Sequence, residues 1–277
     1  MRRIGDVLAG NHAVWEFDSD SMIIRFARGL RTPRLWHALR ERRIPLDALC
    51  GLSLTGGKRD TVVLRAVPRP GADPLMEAAA GQLKESCDPY RLVLSGESAP
   101  RAEALADAVR DRLGPATAAE RFLVAAPEAG AHLKAYDARV GFDGTAVTFH
   151  WSRTGASSTK WKAGDQRYPL TEVAGVVWRS PEGPEGHLRL LPRDGAAGEA
   201  RPDHDLAAAV FGVGYGAVHE SLPFAAAVLA AVRERRTPVS AAVPKTSGGD
   251  RLHHLGELLS AGLLTDAEYS ALRDRLA

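Results

Sequence analysis

Apolar residues alternate with polar or small ones near the start of the chain: Ala13, Trp15 and Phe17, then, beyond Asp18-Ser19-Asp20, Met22, Ile24 and Phe26. A period of two is that of a strand with one buried face, so two strands joined by a turn are expected. The alternation returns with Ala138, Val140 and Phe142, a turn at Asp143-Gly144, and Val147, Phe149 and Trp151. Asp-Gly between alternating runs is a strong hairpin signal. Further strands are expected around 44–54, 60–67 and 90–95, and around 168–179, 186–192 and 205–219. Each series then changes period. Ala102, Leu105, Ala106, Val109 and Leu113 have helical spacing behind Ser98, a candidate N-cap, and Pro100; Ser221, Pro223, Ala225, Val228, Leu229 and Val232 repeat the arrangement.

The pattern is a duplication at a shift of 123 to 125 residues. Trp15-Glu16-Phe17-Asp18 recurs as Val140-Gly141-Phe142-Asp143. Ile44-Pro45-Leu46 with Gly51 recurs as Tyr168-Pro169-Leu170 with Gly175. Leu64 to Arg69 matches Leu188 to Arg193, and Ala108 to Arg112 matches Ala231 to Arg235. Four anchors in register fix two similar halves, followed by an unrelated ending.

Composition narrows the reading. A chain of 277 residues that is 45% hydrophobic has room for two cores of ordinary size. A net charge of +2 is too mild to argue for nucleic acid globally, so electrostatics rests on local clusters. Cys50 and Cys87, with 36 residues between them, suggest neither a disulfide framework nor a zinc site, and read as thiols of a reducing compartment. The start lacks a signal-peptide apolar region and no stretch has the length of a membrane span, so a soluble cytoplasmic protein is expected.

A run of antiparallel strands closed by one amphipathic helix resembles the pleckstrin-homology-like (PH-like) fold. Phe-Asp, Pro-Leu, Trp178-Arg179-Ser180-Pro181, Gly186-His187-Leu188-Arg189 and the Ala-rich final helix resemble an uncharacterised bacterial family of tandem PH-like domains. The resemblance spans about residues 8–236 and is better in the second repeat. The first departs from it at Leu54-Thr55-Gly56-Gly57 and in an inserted stretch around 70–88. The resemblance implies an α+β protein of two strongly bent β-barrels or sheets, each closed by a helix, over 8–114 and 132–236.

The ending has its own logic. Thr237 to Gly249 reads as a flexible linker. Residues 250–277 read as a two-helix hairpin, with Gly262 at a helix end and Thr265 and Glu268 as a capping box. The segment resembles the short C-terminal (SHOCT) domain. Leu252, Leu255, Leu259, Leu263, Leu264, Tyr269, Leu272 and Leu276 are too many to bury in so small a unit, which implies a protein partner or self-association; docking on its own chain is the alternative.

One local charge cluster stands out: Arg25, Arg28, Arg31, Arg34, Arg40, Arg42 and Arg43, opposed only by Glu41. The PH-like resemblance implies anion binding by loops between early strands, and the planar Arg fork suits phosphate. The second repeat has a thinner counterpart that includes Lys160 and Lys162. Trp36 and Trp161, at nearly equivalent positions, suit a membrane interface or a stacked base; equally, the cluster reads as a solvated basic edge with each Trp covering the barrel rim. Nucleophile and metal patterns are absent. Gly51 to Lys58 fails the spacing of a phosphate loop, Gly212 to Gly216 does not fit a dinucleotide turn, and His253-His254 and Asp203-His204-Asp205 lack a third ligand. The expectation is a non-enzymatic binding or scaffold protein without cofactor, assembling through the C-terminal hairpin. The alternative is a peripheral membrane or anionic-ligand binder using the Arg cluster, with nucleic acid not expected.

Overall fold

The structure, a computed structural model, describes residues 6–194 and 200–236; the linker and hairpin expected over 237–277 lie outside them. The first half begins with β1 (Asp6–Gly10), β2 (Ala13–Phe17) and β3 (Ser21–Phe26), then α1 (Arg34–Leu39) and β4 (Glu41–Pro45). After them come β5 (Leu49–Gly56), β6 (Thr61–Pro68), α2 (Pro74–Ala79), β7 (Arg91–Ser95) and α3 (Ala99–Val109). The second half repeats the plan with β8 (His132–Lys134), β9 (Ala138–Phe142), β10 (Ala146–Trp151), α4 (Ser158–Ala163) and β11 (Gln166–Pro169). It continues with β12 (Val173–Arg179), β13 (His187–Pro192), β14 (Ala208–Val210) and α5 (Val218–Arg236). The strands form four antiparallel sheets, β1-β2-β3-β4, β5-β6-β7, β8-β9-β10-β11 and β12-β13-β14, so each half is a four-stranded sheet followed by a three-stranded one.

The repeated Pro-Leu…Gly anchor is the corner between the two sheets. Pro45 and Pro169 have nearly the same backbone angles, φ −57° ψ 139° and φ −58° ψ 139°, and each leads into a single 3-10 turn, Leu46–Ala48 or Leu170–Glu172. Leu46 and Leu170 are buried at the corner, and their amides donate to the Asp20 and Thr145 carbonyls at 2.8 and 2.9 Å. In both halves the register of the next strand slips once, between Leu49 and Gly51 and between Val173 and Gly175. Such a bulge increases local twist and turns the strand away from the first sheet.

No closed barrel forms among the described residues; the two sheets of each half instead lean together at an edge. The Asn11 amide donates to the Val93 carbonyl at 2.8 Å, and Tyr136 to Val210 at 2.9 Å. Gly10 permits the first approach, since a β-carbon there would run into the Val93 carbonyl. The Asp143-Gly144 turn forms as expected. Gly144 takes φ 83°, and the Asp143 carboxylate accepts from the Thr145 amide and hydroxyl and from the Ala146 amide.

Three expectations change. The strand expected over 205–219 shrinks to Ala208–Val210, because Gly212 to Gly216 forms a tight turn and α5 has begun by Val218. Ser98 precedes α3 without capping it; its hydroxyl lies 3.3 Å from that of Ser95, after a 3-10 turn. Ser221 lies inside α5, where its hydroxyl accepts from the buried Trp178 indole at 3.0 Å and donates to the Ala217 carbonyl at 3.1 Å.

The inserted stretch of the first half joins the halves. Helix α5 packs on β12 of its own half and on α1 and α2 of the other. Asp73 caps α2 through the Leu75 amide (2.9 Å), with Pro74 in the first turn. Beyond it, the Gln82 side-chain amide bonds backbone of the second half in both directions, donating to the Trp178 carbonyl (3.0 Å) and accepting from the Ser180 amide (3.0 Å). Arg233 of α5 reaches back to Glu77 at 2.9 Å, to the Gly71 and Ala119 carbonyls at 3.3 Å, and lies 4.5 Å above the Phe122 ring. Because these bonds sit at a partly exposed seam, Arg233→Ala is expected to lower the unfolding free energy by about 1–2 kcal/mol, below the full range for charged hydrogen bonds. Urea unfolding followed by circular dichroism checks this, and the loss is expected within a single cooperative transition.

Candidate functional site

The structure splits the first-half Arg cluster into three groups. On the exposed face of the first sheet, Arg25 of β3 pairs with Glu16 and Glu41, one on each neighbouring strand, and Arg43 of β4 pairs with Asp20 at 3.1 Å. These charges are exposed and neutralised. Arg42 alternates inward with Ile44 and is 5% exposed. Its guanidinium makes two 2.9 Å bonds to the Asp73 carboxylate and a 3.3 Å bond to the Ala125 carbonyl, and the Tyr90 hydroxyl donates to the same carboxylate at 2.7 Å. Burial works to lower the Arg42 pKa, but Asp73 and Tyr90 outweigh it and hold the guanidinium above its ordinary value. Burial, with Asp73 beside it, raises the Tyr90 hydroxyl well above the usual range. Arg42 is therefore a core strut, which removes it from the anion-binding set.

The third group is the loop between β3 and α1 with its flank. Arg28, Arg31, Arg34 and Arg40 are exposed and have no ion-pair partner among the described residues. The loop is braced from below: the Thr32 amide donates to the Gly29 carbonyl at 3.1 Å, the His37 ring donates to the same carbonyl at 3.1 Å, and Thr32 is buried. Leu30 stands at its tip with a relative exposure of 107%, between Arg28 and Arg31. Trp36 does not share this surface. It is buried 5.1 Å from the Phe26 ring, and its indole donates to the Cys87 carbonyl at 3.0 Å.

In the second half α4 takes the place of α1, and Lys160, not Trp161, falls where Trp36 lies. Lys160 is fully buried. Its ammonium donates to the Asp137 carboxylate (2.6 Å) and to the Pro202 and Ala208 carbonyls (2.7 and 2.8 Å), 4.8 Å from the Trp151 ring. The other Asp137 oxygen accepts from the Val210 amide at 2.7 Å. Burial lowers the Lys160 pKa and raises that of Asp137, each opposed by the partner's charge. Lys160 thus leaves the anion-binding set as well. Lys162 and Trp161 are exposed, and Arg167 pairs with Asp143 at 3.3 Å.

A cleft of about 880 Å³ opens where the halves meet. Pro33, Arg34 and the Gln82–Lys84 stretch line one side; the turn 180–186 between β12 and β13, the turn at Val213-Gly214 and the start of α5 line the other. Its charge is divided, with Arg34 and Lys84 facing Glu182, Glu185 and Glu220, and Lys84 pairs with Glu182 at 3.2 Å. Among the described residues no cluster of three His, Cys, Asp or Glu is placed to hold a metal, and no helix is long and apolar enough to cross a membrane. Asp205 pairs with Arg189 at 2.8 Å, and Cys50 and Cys87 are free thiols. The partner-binding set from Leu252 to Leu276, and His253-His254, lie outside the described residues.

A family model, a domain of unknown function called DUF4429, matches residues 15–110 and again 140–229. The chain belongs to this family. Each DUF4429 match takes in most of one four-plus-three sheet set, and the linker that carries Ala119 and Phe122 runs between the two matches. No curated protein matches the chain.

Removing one member of a buried pair strands the other. Lys160→Met is expected to cost about 3–5 kcal/mol at pH 7, because Asp137 is left ionised and buried. Without the ammonium, burial keeps the folded-state pKa of Asp137 above its unfolded value, so protonation favours the folded variant. The deficit against wild type should therefore shrink as pH falls from 7 towards 5. Urea unfolding of both proteins across that range checks the sign, and Asp137→Asn added to Lys160→Met should recover part of the loss.

Proposed function

We propose that this DUF4429 pair is a binding module without catalytic chemistry of its own, which docks on anionic membrane surfaces through the first-copy loop from Ala27 to Pro33. One observation carries the reading. Within the Arg cluster, Arg25, Arg42 and Arg43 are neutralised by carboxylates, whereas Arg28, Arg31 and Arg34 are exposed, unpaired among the described residues, and grouped around the exposed Leu30. Unpaired guanidinium groups suit lipid phosphates, and an aliphatic tip suits the boundary beneath them. A nucleic-acid surface would favour an aromatic platform, and Trp36 is buried away from the loop. The recurring order of four strands, three strands and a helix supports a PH-like assignment for each copy.

Near an anionic leaflet each basic residue contributes on the order of 1 kcal/mol. Arg28→Glu with Arg31→Glu and Arg34→Glu is therefore expected to weaken binding to phosphatidylserine-containing vesicles by at least about 100-fold, with the fold intact because these positions are exposed. Sedimentation with such vesicles across a salt series is the measurement, with single-stranded DNA as a control ligand. Equal binding of wild type and variant at low salt would exclude the loop.

The leucine pattern of residues 252–276 supports a second reading, assembly through that SHOCT-like segment. Leu255→Asp with Leu259→Asp is expected to lower the oligomer mass in light scattering over a concentration series. A wild type that is monomeric throughout would remove self-association.

A further inference from the structure

Val213 belongs to the second DUF4429 copy and is 102% exposed, although a β-branched aliphatic is poorly suited to a tight turn. The turn that carries it is built to hold it out. The Tyr215 amide donates to the Gly212 carbonyl at 2.9 Å, Gly214 and Gly216 take φ 81° and 68°, and the Gly216 amide donates to the Lys134 carbonyl at 3.0 Å. The Tyr215 ring meets Tyr136 edge-on, with ring centres 6.1 Å apart, and the Lys134 ammonium lies 5.1 Å from its centre. A floppy loop would be expected to fold its valine down; this braced turn keeps it in water.

Its position matters as much as its exposure. Val213 and Gly214 line the same cleft as Pro33 and Arg34, and Leu30 stands three residues before Pro33. Val213 thus borders the same cleft as Arg34, one of the unpaired arginines grouped around the exposed Leu30. The rim on the Val213 side carries Glu182, Glu185 and Glu220, so its contribution to an anionic surface cannot be electrostatic. An apolar prong is what remains to it.

We infer that Val213 is a second membrane-inserting prong, so that the first copy attracts an anionic bilayer by charge while both copies anchor in it by apolar tips. The inference rests on the membrane-docking reading. Three proteins separate the two: wild type, the Arg28, Arg31 and Arg34 charge-reversal variant, and Val213→Asp, all mixed with phosphatidylserine and phosphatidylcholine vesicles. Val213→Asp is expected to bind about tenfold more weakly than wild type and to show a smaller fraction of binding that survives high salt, Leu30 supplying what remains, since an apolar contact is not screened. Val213→Trp is expected to show a blue-shifted emission component on these vesicles that brominated lipid quenches. Unchanged vesicle affinity of Val213→Asp, or no quenching, alongside loss of binding by the Arg variant, overturns the second prong and leaves the loop reading intact. A wild type that fails to bind, or an Arg variant that binds as well as wild type, overturns the loop reading and the prong with it. If Val213→Asp instead changes the molecular mass in lipid-free light scattering, the tip meets a second copy, and the membrane prong is wrong.

Discussion

The Asp73 carboxylate is where the first copy is tied together. It receives two bonds from Arg42 on β4, one from the Tyr90 hydroxyl beside β7, and one from the Leu75 amide that starts α2. Through Arg42 it also reaches the Ala125 carbonyl in the segment between the copies. A buried charge is tolerated only when its partner and its remaining lone pairs are satisfied, and here every donor comes from a different element. The two sheets, the inserted helix and the linker are therefore positioned by one side chain. Helix α2, so positioned, then receives α5 of the second copy.

The second copy meets a comparable demand with different chemistry. Where the first packs Phe26 against Trp36 of α1, the second sets Trp151 beside the Lys160 ammonium of α4. Three acceptors satisfy the three protons of that ammonium, which is how a charge can fill an aromatic's place. The backbone plan survives this exchange because strand order, corner and helix position depend on Pro45 and Pro169, Leu46 and Leu170, and Gly51 and Gly175 rather than on what lies under the short helix.

Those corner residues were legible because their roles are local: Pro sets a dihedral, Leu fills a corner, Gly accompanies a bulge. The Asp143-Gly144 hairpin was legible for the same reason. Helices α1, α2 and α4, six residues each, were not, since so short a segment shows no helical period. Arg42 carried a readable signal, being in phase with the inward Ile44, but its partner lies 31 residues away and nothing in the pattern named it. Aligning Trp36 with Trp161 slipped the comparison by one residue and hid Lys160. The exposed tips Leu30 and Val213 emerged only from the structure, because an aliphatic between Gly29 and Arg31, or between Gly212 and Gly214, reads the same whether its loop folds inward or is braced outward.

The joint between the copies also has a direction. It sets an insertion of the first copy against the final helix of the second, so the two copies contribute different surfaces to it. Among the described residues the matching β13 to β14 connection of the second copy has no helix of its own. Stacked repeat proteins grow because every unit offers its successor the same face. This contact is heterologous: it pairs unlike surfaces of the two copies, and so differs from the repeated face of a stacked array.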